Sequence, residues 1–514
     1  SARLRHFVRH ALAHCAPHSA HFSFCLPPMR AFLSVLLSAL LLNGPLPACA
    51  QRPHAALNME LLGQWHDPAP DTLPNHRYND IWGYAAPDSR EYAIVGSRTG
   101  THFIDVTNPR TPRLIRSVPG RAPADWRDFK TYSHYAYAVA DGSPSHSLQI
   151  FDLQYLPDSV HLVLDSDTMC PAAHTCFIEG DRLYLVAVER PNELSPFHDI
   201  DIYSLADPER PRRLSTLFLG PYAGAAHAVF ARHDTLYASG SYGGLFIFDV
   251  RQPASPRLLL NLSRYPYAGY NHSSWSTASG RLMVIADEVP GGLPLKLYDL
   301  SDLSRPRLLS TFNSHPYATP HNPYLVGDRY VVASWYQDGV QVWDVADPLN
   351  PRRTGFFDTY PDNDSSLRPL SNPGAPPYGY TGLHGCWGVY PFLPSGTIVA
   401  SDRKHGLFAL SPPYPIPVPL PPGAPSPQPV HPAPIGLWPN PTTGEVTLSL
   451  RYASAHLTIE VLSALGQRVR PHLSWSKPTG PVTVPLAGLA PGTYWLRICR
   501  TNDVPHLERI VISP

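Results

Sequence analysis

The sequence lacks an excess of either charge. Forty Lys and Arg balance 40 Asp and Glu across 514 residues, and charged residues make up only 16% of the chain. Phosphate binding needs a basic stripe, and none is present, so nucleic acid is excluded as a partner. Cysteine and methionine are scarce, at 7 and 4 residues. No Gly-rich phosphate loop, nucleophile elbow or HExxH motif occurs, which removes the common nucleotide-binding, serine-hydrolase and zincin signatures. After Leu42 no apolar run is long enough to span a bilayer, so no transmembrane span is expected in the mature chain.

Proline is abundant, at 61 residues against a usual share of about 5%. Prolines spread through a globular chain imply many turns and edge strands, hence an all-β protein. The length calls for two or three folded units.

Residues 1–28 have no clear periodicity and read as upstream translation. Residues 29–50 read as a signal peptide: Arg30 supplies the positive start, 31–42 the apolar run, and Ala48-Cys49-Ala50 a cleavage point near Ala50. A lipid on Cys49 is the alternative, and Pro47 fits it less well. An exported chain meets an oxidising environment, so Cys170 and Cys176 are either a small disulfide loop or two buried thiols.

Within a domain at 59–410, a repeat of about 40–45 residues runs from Tyr78 to about Leu410. Its clearest part is an apolar strand ending in Asp, a proline turn and a second strand. Examples are HFIDVTNPRTPRLI (102–115), LFIFDVRQPASPRLL (245–259) and VQVWDVADPLNPRRT (340–354). Asp accepts local backbone N–H groups while Pro presets φ, which makes the turn. The second Pro suits an edge strand. Two further strands precede each unit, giving four per repeat, the signature of a propeller blade. Six repeats are complete, and a seventh at 383–410 lacks its outer strand. Met59–Trp65 (MELLGQW) matches that missing strand, so the expected fold is a β-propeller of about seven blades closed by the N-terminal strand. The insertion at 360–381 reads as a surface loop. Residues 411–434 read as a Pro-rich linker, and 435–514 as a small C-terminal β-sandwich.

The last segment resembles the C-terminal sorting domain of the type IX secretion system of Bacteroidetes, through LWPNPTTGEVTLSL (437–450), IEVLSALGQRV (459–469) and LAGLAPGTYWLRI (486–498). That resemblance implies export to the outer-membrane surface, with the secretion machinery as partner of 435–514. The repeat region is similar to the LVIVD-repeat group and the choice-of-anchor B family through YNDIWGY (78–84), EYAIVGSRTGTHFIDVTNPRTP (91–112), DWRDFKTYSHYAYAVAD (125–141), YNHSSW (270–275) and ADEVPGG (286–292). It implies the fold and a surface location and brings no defined activity.

Aligning the repeats on their first strand puts one polar residue in register each time: Asp80, Asp128, His174, His227, His272, His321 and His384. In a propeller these positions ring the axis. Imidazole and carboxylate suit a divalent transition metal, so these seven are the candidate metal ligands. A second tier follows at the strand ends, with Asp141, Glu189, Asp287, Glu288, Asp338 and Asp402 as candidate ligand-binding residues. A repeated His equally serves to hydrogen-bond the next blade. Tyr242, Trp335 and Tyr336 are the aromatics best placed to face a sugar or protein. Two functions follow. One is a surface binding or scaffold module for an unidentified glycan or protein ligand, with no catalytic residue assigned. The other is a metal-dependent hydrolase or lyase at the His/Asp ring.

Overall fold

The computed structural model describes residues 54–68, 76–142, 146–220, 225–361, 382–415, 435–438, 442–450, 456–463, 468–476, 481–500 and 506–513. The expected upstream segment and signal peptide, and nearly all of the surface insertion and the Pro-rich linker, lie outside them. Every regular element among the described residues is a β-strand.

Residues 56–410 form seven antiparallel sheets. Their innermost strands are Tyr78–Ala85, Trp126–Tyr132, Thr175–Glu179, Ala228–Arg232, Asn271–Ser276, Pro320–Val326 and Cys386–Tyr390. Each packs beside the innermost strand of the next sheet, and Cys386–Tyr390 lies beside Tyr78–Ala85. This is β-propeller architecture, built as the repeat predicts.

The repeated Asp works as its turn chemistry requires. Asp105, Asp249, Asp299 and Asp344 each end a third strand. Through Oδ1 they accept the backbone N–H two residues on, from Thr107, Arg251, Ser301 and Ala346, at 2.9–3.1 Å. Three of them also pair with the Arg that opens the fourth strand: Asp105 with Arg113, Asp249 with Arg257 and Asp299 with Arg307. The side chain thus fixes both the turn and the edge strand beyond it.

Leu61–Trp65 pairs antiparallel with Gly406–Leu410, Leu61 opposite Leu410 and Trp65 opposite Leu407, as the fourth strand of the seventh sheet. Just before it, Ala56–Leu57 pairs with Phe356 and Phe357 as a fifth strand of the sixth sheet. The N-terminal segment therefore stitches the sixth sheet to the seventh. Gly63 permits this: a Cβ there would lie 2.2 Å from Pro109 O and 2.8 Å from Pro112 Cδ, in the proline turn of the first sheet.

Cys170 and Cys176 are free, buried thiols in one apolar cluster, not a disulfide. The C-terminal residues form a three-stranded and a four-stranded sheet around Val446, Leu457, Ile459, Leu496, Ile498 and Ile510, a β-sandwich as expected.

Candidate functional site

The inner strands line a small open cavity of about 80 Å³. Asp80, Asp128, His174, His227, His272 and His321 all line it. They do not form one ring.

Four imidazoles form a row. Ring centroids are 4.4 Å apart for His174–His227, and 4.1 Å for both His227–His272 and His272–His321. Each of the last three hands a proton to the next sheet. His227 Nδ1 lies 3.2 Å from His272 O, His272 Nδ1 3.1 Å from His321 O, and His321 Nδ1 2.6 Å from Trp387 O. A carbonyl only accepts, so Nδ1 carries the proton and Nε2 keeps its lone pair. His174 Nδ1 donates likewise to Asp141 Oδ2 at 2.9 Å. The expected structural role of the repeated His is therefore present, and it turns Nε2 of each ring away from that anchor; those of His174 and His227 meet at 2.9 Å.

The carbonyl series also locates the seventh position. Trp387 completes it, three residues beyond His384. His384 is a correction: it does not line the cavity and packs against His76 at 5.5 Å between ring centroids. The chain turns at Gly385, with φ of +98°, and a bulge follows between Cys386 and Gly388. Counting from the sequence misses both.

Asp80 and Asp128 lie a tier away from the imidazoles. Asp128 Oδ2 accepts the N–H of Cys176, two residues along the strand from His174, and its Oδ1 is 2.6 Å from Lys130 Nζ. Lys130 stands 4.3 Å over the Trp82 ring. Burial and the Asp128 charge push the Asp80 carboxyl well above its usual range. For Asp128 burial acts the same way, but Lys130 and a hydrogen bond from Asp80 outweigh it and hold its pKa down. The pair thus keeps one proton, on Asp80, and one negative charge, facing Lys130.

Of the second tier, two residues reach the imidazoles. Asp141 anchors His174. Glu288 Oε1 is 4.0 Å from His321 Nε2 and accepts the Tyr336 hydroxyl at 2.9 Å. One ligand atom each from His227, His272 and Glu288 lie within 4.8 Å of one another. None of the six lines the cavity itself: Asp141 and Glu288 stand behind the imidazoles, and the other four lie elsewhere. Asp287 forms a wholly buried ion pair with Lys296 at 2.6 Å. Asp402 caps a turn through the N–H groups of Lys404 and His405 and accepts Thr359 Oγ1; burial lifts its pKa to about 6. Glu189 is half-buried, its pKa raised by burial and by Asp141. Asp338 is half-buried, and its carbonyl accepts Gln341 Nε2. Trp335 and Tyr336 prove buried; Tyr242, at 66% exposure, is the one of the three aromatics on the surface.

Burial depresses His227 and His321 far below the usual histidine range, and His272 below it. Burial acts on His174 too, but the Asp141 hydrogen bond and charge overcome it and raise its pKa. Farther along the inner strands the channel is filled by aromatic rings. Between ring centroids, Trp275 lies 4.8 Å from Tyr324, edge-on, and 4.4 Å from Phe230, tilted, and Trp82 lies 4.8 Å from Tyr390, edge-on. Ser274 Oγ and Trp275 Nε1, on the cavity wall, have no hydrogen-bond partner among the described residues.

Residues 436–513 match the family model of the secretion system C-terminal sorting domain. This is the tail of type IX secretion substrates, and it marks a secreted or cell-surface protein. No curated protein matches the chain in sequence. Among solved structures, a candidate 6-phosphogluconolactonase of Bacteroides uniformis ATCC 8492 is 14% identical over 61% of this chain and 88% of its own, with a TM-score of 0.45. The WD40 propeller domain of Doa1 is 9% identical over 69% and 97%, at 0.45. The RRP9 WD40 repeats are 13% identical over 70% and 99%, at 0.44. These likenesses are loose, and the propeller assignment rests on the strand pairing of the chain itself.

Proposed function

We propose that this chain is an exported cell-surface binding protein of the LVIVD-repeat, choice-of-anchor B kind. In this reading its seven sheets make a ring closed by Leu61–Trp65, and the histidine-lined cavity at the channel mouth holds a small polar ligand. The observation that carries the reading is the inward row of imidazoles, each with Nδ1 committed to a neighbour and Nε2 turned away from that anchor, those of His174 and His227 meeting at 2.9 Å. Ser274 Oγ and Trp275 Nε1 add unpartnered donors on the same wall. Buried polar groups are normally satisfied, so a cavity that collects unsatisfied donors and acceptors is complementary to a polar guest. Export follows from the tail, after removal of a signal peptide near Ala50.

The test has two arms. Deleting residues 436–513 is expected to retain the chain inside the cell envelope; unchanged surface display would remove the export reading. Native mass spectrometry of the full chain from its own host is expected to show a bound species that disappears in Ser274→Trp, which fills the cavity. The same bound species retained in the variant would remove the pocket reading. A metal-dependent hydrolase or lyase is the second reading, favoured by the carboxylate Glu288 beside the imidazoles.

A further inference from the structure

We propose that His227, His272 and Glu288, flanked by His174 and His321, form a site for one divalent transition-metal ion of the zinc class. The proposal rests on the pocket reading above and names the guest.

Three observations carry it. The first is convergence. Ligand atoms of His227, His272 and Glu288 fall within 4.8 Å of one another. Ligands about 2.0–2.2 Å from one ion sit at most about 4.4 Å apart, so a small movement of side chains closes the site. His174 Nε2 lies 2.9 Å from His227 Nε2, and His321 Nε2 lies 4.0 Å from Glu288 Oε1, which places both at the edge of the same sphere.

The second is anchoring. All four imidazoles donate Nδ1–H to a carbonyl or carboxylate, and Glu288 is held by Tyr336. Metal-binding histidines are oriented in this manner by outer-shell acceptors, which fix the tautomer that leaves Nε2 free. Glu288 and Asp141 come from second strands or the turns after them, so the arrangement is not a simple consequence of the repeat.

The third is donor chemistry. Several imidazoles with one carboxylate suit zinc, nickel, iron(II) or copper(II). Magnesium and calcium call for oxygen-only cages. Asp80 and Asp128 belong to the Lys130 tier and are not ligands.

The experiment uses the purified full chain, stripped with a chelator and titrated with Zn²⁺ by calorimetry and with Co²⁺ by visible absorption. Expected is one site far tighter than binding at exposed histidines, with intense Co²⁺ d–d bands. Glu288→Gln should weaken it by more than the about 10–100-fold that loss of an outer-shell partner costs, and the His227→Ala/His272→Ala pair should abolish it. If that pair fails to fold, His321→Gln and Glu288→Gln, each with a native circular-dichroism spectrum, must still reduce affinity and alter the Co²⁺ bands. Uptake no tighter than at exposed histidines, or unchanged in these variants, overturns the proposal. Should zinc fail to bind while Ser274→Trp still removes a bound species, the metal falls and the pocket reading stands.

Discussion

His174 Nε2 lies 2.9 Å from His227 Nε2, although each ring already gives its Nδ1 proton to an oxygen elsewhere. Two bare lone pairs repel at that distance. A positive centre must sit between them or beside them, either a proton on His174 or a metal ion shared by both. The Asp141 carboxylate behind His174 supports either state. Asp141→Asn is therefore expected to weaken Zn²⁺ binding about 10–100-fold while leaving the far-UV circular-dichroism spectrum and melting cooperativity intact. Calorimetry checks this, and an unchanged affinity would detach Asp141 from the site.

Asp80 and Asp128 should respond unequally to the same isosteric change. Asp80 already holds a proton, so Asp80→Asn replaces one neutral group by another and should cost under about 1 kcal/mol. Asp128→Asn removes the partner of buried Lys130 and should cost about 3–5 kcal/mol. Urea unfolding of both variants reads the difference. Equal costs would contradict the assignment of proton and charge.

The buried pair Asp287–Lys296 makes a second stability test. Lys296→Met leaves Asp287 uncompensated and is expected to cost about 3–5 kcal/mol. Joining it to Asp287→Leu should recover much of that loss, since an apolar pair avoids desolvating two ions. A double variant as unstable as the single would show that Tyr265 and Asn271, which also bind Asp287, dominate the site.

His102 links stability to acid. It is buried between Ser97 Oγ and Ser117 Oγ at 2.9 and 2.8 Å, and burial lowers its pKa to about 4. The unfolded chain takes up a proton near pH 6.5 and the folded one only near 4. This contribution is therefore complete above pH 6.5 and is lost as pH falls towards 4. The loss amounts to at most roughly 3 kcal/mol. Denaturation midpoints of wild type and His102→Gln across pH 7 to 4 should converge as the pH drops. Parallel curves would contradict the assignment.

The repeat, its turns and the partner of the N-terminal strand were legible because they depend on short-range chemistry. Asp299 and Pro306 announce their turn within a few residues, and Leu61–Trp65 carries the pattern of the strand it replaces. The site was only partly legible. Bulges between Tyr78 and Ile81, and between Cys386 and Gly388, break the strict alternation that alignment of the repeats assumes. Further bulges lie at Asn271/Ser273 and Pro320/Pro323 but none in Trp126–Tyr132, so counting along the first strand does not fix which side chain joins the row: His272 and His321 do, Asp80, Asp128 and His384 do not. Glu288 and its neighbour Asp287 look equivalent in sequence. Only the strand's pleat sends Asp287 to Lys296 and leaves Glu288 facing the histidines.

The central claim is that a cation sits among these imidazoles. Crystals of the full chain grown with Zn²⁺, measured on both sides of the zinc absorption edge, test it most directly. The account predicts one strong anomalous peak bounded by His227, His272 and Glu288. Peaks confined to exposed histidines, with the cavity holding only water, would contradict it.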